Sequence, residues 1–313
     1  MADITASMVK ELRERTQAGM ADCKNALVEA LGDMEKAVEV ILKKGIVKAA
    51  SRAGRVAAEG EVRTSVAVDA KSGVIVEVNC QTDFVARGDA FKEFVTKVTE
   101  IATTAPVGAD LNTFKYPGSD KTVDVIRQEV VAKTGENTVI RRWDRIEAKG
   151  AHSLVHAYVH MGGKLAVLLS AEAPTADALK SEPFKTFIEN VAMQVAAMRP
   201  TVVHKDEVPA HHVEKQKEIF AAQLKEEGKP EASWVKIIEG KVAKWFTEIT
   251  LHGQDNVWDQ GKGTIDKLRQ DLSKELGGEV KLHGFIRLEL GEGIEKKTDD
   301  LAAEVAKLTG PAN

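Results

Sequence analysis

Phe91-Lys92-Glu93-Phe94-Val95 and, much later in the chain, Phe184-Lys185-Thr186-Phe187-Ile188 are near copies of one another, and their surroundings repeat with them. Each opens an amphipathic helical pattern, over 91–102 and 184–198, and each run ends in a proline, Pro106 and Pro200. Ahead of the first, residues 61–68 alternate with period two, 69–73 form a turn and 74–78 resume as a strand, which predicts a hairpin. Ahead of the second, 152–160 and 165–172 read as strands across a turn holding Gly162-Gly163. A late strand follows each helix, at 139–146 and 280–290. Matching elements in matching order predict an internal duplication. The expected fold is α+β, with two three-stranded antiparallel sheets that each carry helices on one face.

Outward from this pair, residues 4–55 read as three short helices. Met8, Val9 and Leu12 lie on the first, and Gly19 interrupts it. Cys23, Ala26, Leu27 and Ala30 share one face of the second, over 22–31, with Gly32 as its end and Asp33 as the next cap. Ala37, Val40, Ile41 and Leu42 lie on the third, which is expected to stop near Gly45. So small a core suits binding a partner better than catalysis. Met20, beside Gly19, reads equally as an exposed contact or as a core plug. Lys43, Lys44, Lys48, Arg52 and Arg55 follow with no acid among them. They read as a linker touching RNA or an acidic partner, or as a solvated helical tail. Inside the second repeat, 208–227 and a helix carrying Trp234, Ile238, Val242, Trp245 and Phe246 flank Gly228-Lys229-Pro230. That pattern predicts an antiparallel helical hairpin, either protruding or folded onto the sheet.

Composition narrows the function classes. The chain has 313 residues, enough for roughly two domains, and is 43% hydrophobic and 29% charged. Lys+Arg total 44 against 48 Asp+Glu, a net charge of −4, which disfavours nucleic-acid binding through bulk charge. The two cysteines, Cys23 and Cys80, stand alone, so a disulfide scaffold and a Cys-rich zinc site are disfavoured and a cytoplasmic location is expected. No apolar run is long enough to span a membrane, and the N-terminus shows no targeting pattern. Walker A, GxGxxG, HExxH and GxSxG patterns are missing. His211-His212 reads as a solvent-facing pair. His152, His156 and His160 fall on one strand face with no acid in the run to complete a metal site.

One loop stands out: Val76-Glu77-Val78-Asn79-Cys80-Gln81-Thr82-Asp83-Phe84-Val85-Ala86-Arg87. A strand ends at Cys80, and Thr82 or Asp83 can cap the turn that follows. Phe84 then falls at the tip. An acid beside an exposed aromatic suits a wedge; equally, Phe84 packs into its own core and Asp83 is only a cap.

This stretch resembles a signature of the elongation factor Ts family. Leu12-Arg13-Glu14-Arg15-Thr16-Gln17-Ala18-Gly19-Met20-Ala21-Asp22-Cys23-Lys24-Asn25-Ala26-Leu27 resembles that family's first signature, and Gly284-Phe285-Ile286-Arg287-Leu288-Glu289-Leu290-Gly291-Glu292-Gly293-Ile294-Glu295 its last core strand. The resemblance spans nearly the whole chain and keeps motif order.

It implies a guanine-nucleotide exchange factor that makes and breaks no bond, needs no metal or cofactor, and binds elongation factor Tu in its GDP-bound and nucleotide-free states. The implied division is a three-helix module related to ubiquitin-associated domains at 1–55 and core subdomains at 56–147 and at 148–203 with 248–294. An inserted coiled coil at 204–247 and a C-terminal module at 295–313, with a helix at 301–308, complete it. Leu12, Arg13, Met20 and Lys24 match the N-terminal module's contact with the partner's G domain; Ala21 replaces a second apolar residue common in the family. Thr82, Asp83, Phe84 and Val85 match the turn that intrudes near the partner's magnesium, with Phe84 as the wedge. His160 matches a histidine near the partner's third domain. Neither a membrane nor a specific nucleic-acid sequence is an expected partner. The resemblance leaves room for a homodimer or a 2:2 complex. The competing expectation is a binding module without exchange activity, taking a ubiquitin-like, nascent-chain or RNA partner.

Overall fold

The computed structural model describes residues 4–295 with the exception of 17, 53 and 260. Helices α1 (Ala6–Thr16), α2 (Met20–Glu29) and α3 (Met34–Arg52) enclose a small core of Val9, Leu12, Cys23, Ala26, Leu27, Ala30, Ala37 and Ile41. The α2–α3 turn closes through Gly32, at φ 84°, whose N–H donates to Leu27 O at 2.9 Å. Asp33 then accepts from Lys36 N–H at 3.0 Å, the expected cap. Contrary to expectation, α3 does not stop near Gly45 but runs on to Arg52. An internal glycine costs a helix only about 1 kcal/mol. The basic stretch therefore continues a helix, and Lys44 reaches back to Glu29 at 2.5 Å.

The duplication is present in full. The first unit runs β1 (Glu59–Val66), β2 (Ser72–Cys80), a short α4 (Asp83–Arg87), α5 (Asp89–Ala102), α6 (Val123–Thr134) and β3 (Thr138–Glu147). The second runs β4 (Ser153–His160), β5 (Leu165–Glu172), a short α7 (Ala176–Lys180) and α8 (Glu182–Met198). It continues through α9 (Ala210–Glu226), α10 (Trp234–Ile249), α11 (Ile265–Glu275) and β6 (Lys281–Glu289). Both sheets are antiparallel and three-stranded, ordered β1-β2-β3 and β4-β5-β6. Their register shifts fall at matching places, between Glu77 and Val78 and between Ser170 and Ala171.

The middle strands explain the layering. Along β2, Val74, Val76, Val78 and Cys80 pack with Phe91, Phe94, Val95 and Val98 of α5, whereas Ile75 faces the other sheet. Along β5, Val167, Leu169 and Ala171 pack with Phe184, Phe187 and Ile188, whereas Ala166 and Leu168 meet Ile75, Val62 and Val155 between the sheets. A strand covered on both faces reads as a continuous apolar run. The sheets approach closely at Gly73, where an added Cβ would lie 2.8 Å from Val155 Cγ1. Glu77, buried on β2, accepts from Arg141 Nη1 at 2.9 Å, Arg142 Nε at 2.5 Å and the Gly291 N–H at 2.8 Å, tying the first sheet to the end of β6.

Helices α6 and α11 have no counterpart in the sequence expectations, yet they too repeat, over a longer run than the phenylalanine pentapeptides. Thr122-Val123-Asp124-Val125-Ile126-Arg127-Gln128 parallels Thr264-Ile265-Asp266-Lys267-Leu268-Arg269-Gln270. Thr122 and Thr264 cap the two helices. Arg127 pairs with Asp124 and donates to Thr138 O at 3.0 Å; Arg269 pairs with Asp266 and donates to Val280 O at 2.7 Å.

The inserted α9–α10 hairpin buries only Leu224 and Val242, and neither helix contributes to the sheet cores, so it projects rather than folding onto the sheet. Its base is closed by Leu251 N–H on Val202 O at 2.9 Å and by the His204 and His252 rings, 4.0 Å apart. The helix expected at 301–308 lies outside the described residues.

Candidate functional site

The turn after β2 is built from the strand outward. Cys80 is buried and its thiol donates to Thr82 O at 3.2 Å. Burial, then the nearby charges of Glu136 and Glu59, push that thiol up to about 12, which leaves it inert as a nucleophile. Thr82 has extended backbone, and its hydroxyl accepts from Val85 N–H at 3.4 Å, capping α4. Asp83, at the first position of α4, pairs with Arg87 at 2.8 Å. Val85 and Ala86 lean on the first unit's core. Phe84 points the other way and is 83% exposed. Of the two readings open at this residue, packing into its own core is thus removed. An exposed phenylalanine forgoes roughly 1.5–3 kcal/mol of burial, which a partner can recover.

The three-helix module is only partly as expected. Leu12 is fully buried in the module's own core. That corrects its assignment as a contact, because a side chain without exposed surface holds α1 in place and meets nothing outside. Arg13 and Lys24 are exposed. Met20 begins α2 rather than sitting in a loop, and is 49% exposed, so it is not a core plug. The sequence expectations missed Val28 and Leu31, both exposed. With Met20 and Lys24 they form an i, i+4, i+8, i+11 stripe along α2 and its end, a spacing legible once the buried face is known.

His160 lies exposed at the end of β4. Its Nδ1 is 2.9 Å from the Tyr158 hydroxyl, and the two rings stack. Met161, beside it at φ 48°, is 75% exposed. Thr82, Asp83, Phe84 and Val85 thus share one turn, while the α2 stripe and the β4–β5 hairpin tip are separate surface elements.

The remaining histidines do not build a metal centre. His156 lies 2.6 Å from Glu189 on α8, and His211 and His212 are exposed at the start of α9. Burial, then His204, lower the pKa of His252 to about 4, so it sits neutral beside Asp266. Among the described residues no three His, Cys, Asp or Glu side chains are placed to hold a metal ion. No helix of the described residues is long and apolar enough to cross a membrane. The geometry suits docking: an aromatic tip, an acid and two further exposed patches.

The elongation factor TS family model matches residues 81–292, from the turn before Asp83 through β6. Elongation factor Ts of a Nitratiruptor species is 47% identical over 303 residues, covering 97% of this chain and 98% of that one. Elongation factor Ts of Clostridium perfringens is 45% identical over 309 residues, covering 98% and 99%. That of Symbiobacterium thermophilum is 42% identical over 310 residues, covering 99% of each.

Proposed function

Because the chain belongs to the elongation factor Ts family and so is a guanine-nucleotide exchange factor of elongation factor Tu, we propose that it releases GDP by driving Phe84 into the partner beside its magnesium site. The carrying observation is an aromatic ring held 83% exposed on a capped turn next to Asp83.

The partner holds nucleotide through backbone amides around the phosphates and through a Mg²⁺ bridging phosphate and side chains. Mg²⁺ demands near-ideal octahedral geometry, so a small shift of the elements carrying its ligands weakens it sharply. Burying Phe84 supplies free energy for that shift. Asp83 adds repulsion or captures a donor; its surface pair with Arg87 is worth only about 0.3–0.5 kcal/mol, so releasing it costs little. Arg13, Met20 and Lys24 on the N-terminal module (1–55), and His160 on the second unit, hold the partner while the turn acts. Both GDP-bound and nucleotide-free elongation factor Tu are bound, in the cytoplasm. By linkage, whatever lowers GDP affinity in the complex lowers this chain's affinity for the GDP-bound partner by the same factor. Rebinding of nucleotide then ejects the factor, and no covalent step is required.

The test is release of a fluorescent GDP from elongation factor Tu with the native chain and with Phe84→Ala. Acceleration by the native chain that falls about ten- to a hundredfold in the variant supports the wedge. Equal acceleration by both removes Phe84 from the mechanism. No acceleration by either returns the chain to the binding-module alternative.

A further inference from the structure

Glu136 follows Gly135, the left-handed residue (φ 80°) that ends α6, and meets the Phe84 turn although it lies 54 residues from Thr82 in sequence. Its carboxylate spans Thr82: Oε2 accepts from the Thr82 backbone N–H at 2.9 Å and Oε1 from the Thr82 hydroxyl at 2.7 Å. The Thr82 carbonyl accepts from Cys80 Sγ at 3.2 Å and from Ala86 N–H at 3.2 Å. Every polar atom of Thr82 is therefore committed. A hydroxyl that gives its one proton to Glu136 can only accept elsewhere, which sets it to cap Val85 N–H.

A five-residue helix cannot hold itself, because nucleation is costly and its bonds are too few. Packing holds α4 only in part, since Val85 and Ala86 lean on the core but none of its residues is buried. The second unit provides an internal control. There α7 is capped in the same way by Thr175, but Ala178 is buried. The place of Glu136 is taken by Gly278, packed so tightly on Pro174 that an added Cβ would lie 2.6 Å from the proline Cβ. Packing secures α7. A carboxylate clamp with two charge-assisted hydrogen bonds secures α4, and it is found in the unit that carries the exposed aromatic.

We propose that Glu136 is a positioning residue for exchange, its clamp on Thr82 holding α4 so that Phe84 is presented at a fixed angle. This rests on the reading of Phe84 as the wedge. Glu136 acts through Thr82 and does not itself meet the partner.

The experiment measures fluorescent-GDP release from elongation factor Tu over a range of factor concentrations for the native chain, Glu136→Ala, Glu136→Gln, Phe84→Ala and the double variant Glu136→Ala/Phe84→Ala. Glu136→Ala is expected to lower the maximal stimulated rate about tenfold, with the half-saturating concentration little changed. Glu136→Gln keeps an acceptor for only one of the two donors and should fall in between. In the Phe84→Ala background, Glu136→Ala should have no further effect, because an absent ring needs no positioning. Glu136→Gln, isosteric with the native side chain, keeps the test open if Glu136→Ala folds poorly. Native rates in both Glu136 variants with a loss in Phe84→Ala overturn the clamp and leave the wedge standing. A Glu136→Ala loss that multiplies with that of Phe84→Ala also overturns it, since Glu136 then acts elsewhere. A native rate in Phe84→Ala overturns the wedge and the clamp together.

Discussion

α4 and α7 occupy the same place in two copies of one unit and do different things. Each follows the central strand of its sheet, each is five residues long, and each is capped by a threonine, Thr82 or Thr175. Ala178 of α7 is buried, and Asp177 stands in the solvent-facing position. α4 presents Phe84 in that position, with Asp83 and Arg87 paired beside it. What the copies share is scaffold: the register shifts of the central strands, the Asp–Arg–Gln brace on α6 and α11, and the buried phenylalanines of α5 and α8. Where one copy departs toward an exposed aromatic, folding does not account for it, because the other copy folds without one.

The comparison can be strained from its shared side first. Phe91 and Phe184 are fully buried at matching positions, so Phe91→Ala and Phe184→Ala should each cost about 3–5 kcal/mol in denaturant unfolding. A twofold disparity between them would show that the copies do not carry equal weight. The next largest effect lies where the copies differ inside. Glu77 has Ser170 as its counterpart. Burial pushes the Glu77 carboxyl up, but the Gly291 N–H and the Arg142 and Arg141 guanidiniums outweigh it and leave it below the ordinary carboxylate value. A depressed folded-state pKa contributes stability that is present above the unfolded value and is lost as pH falls through the folded one. Glu77→Gln should therefore cost about 3 kcal/mol at neutral pH and flatten the acid limb of the stability profile. Ser170→Ala, which gives up a bond to Glu147 O at 3.0 Å, should cost about 1 kcal/mol with no change in that limb. Parallel acid limbs for native and Glu77→Gln proteins would show that Glu77 is not a source of the acid sensitivity.

Both hairpins, the helices α5 and α8 and the duplicated layout are legible in the sequence, because period-two runs and paired phenylalanines carry local signals. Helices α6 and α11 were equally legible, since Val123, Ile126 and Val130 on one and Ile265, Leu268 and Leu272 on the other recur at i, i+3, i+7 and pack on the two cores. Their seven-residue repeat was a second signal. In the site, resemblance carries position but not exposure. It placed Leu12 and Phe84 alike at contacts, and folding buries one and leaves the other out. The burial of Leu12 could have been read from its spacing with Val9, since both share one face of α1. Glu136 had no local signal at all, because its partner Thr82 is brought to it by the sheet.

The smallest expected effect gives the sharpest version of the comparison. Asp177→Phe places an aromatic on α7 where α4 carries Phe84. Asp177 is exposed and opens no buried space, so stability should move by no more than about 0.5 kcal/mol. GDP release from elongation factor Tu should be unchanged. A second exposed ring adds a hydrophobic surface, but α7 belongs to the other unit and lacks the Asp83–Arg87 pair at its side. Should Asp177→Phe restore exchange to a Phe84→Ala chain, an exposed ring on either copy would suffice and the particular setting of α4 would lose its meaning. Should it leave that chain impaired, exchange depends on where the ring is held, and the setting of α4 rather than the ring alone is what distinguishes the first unit.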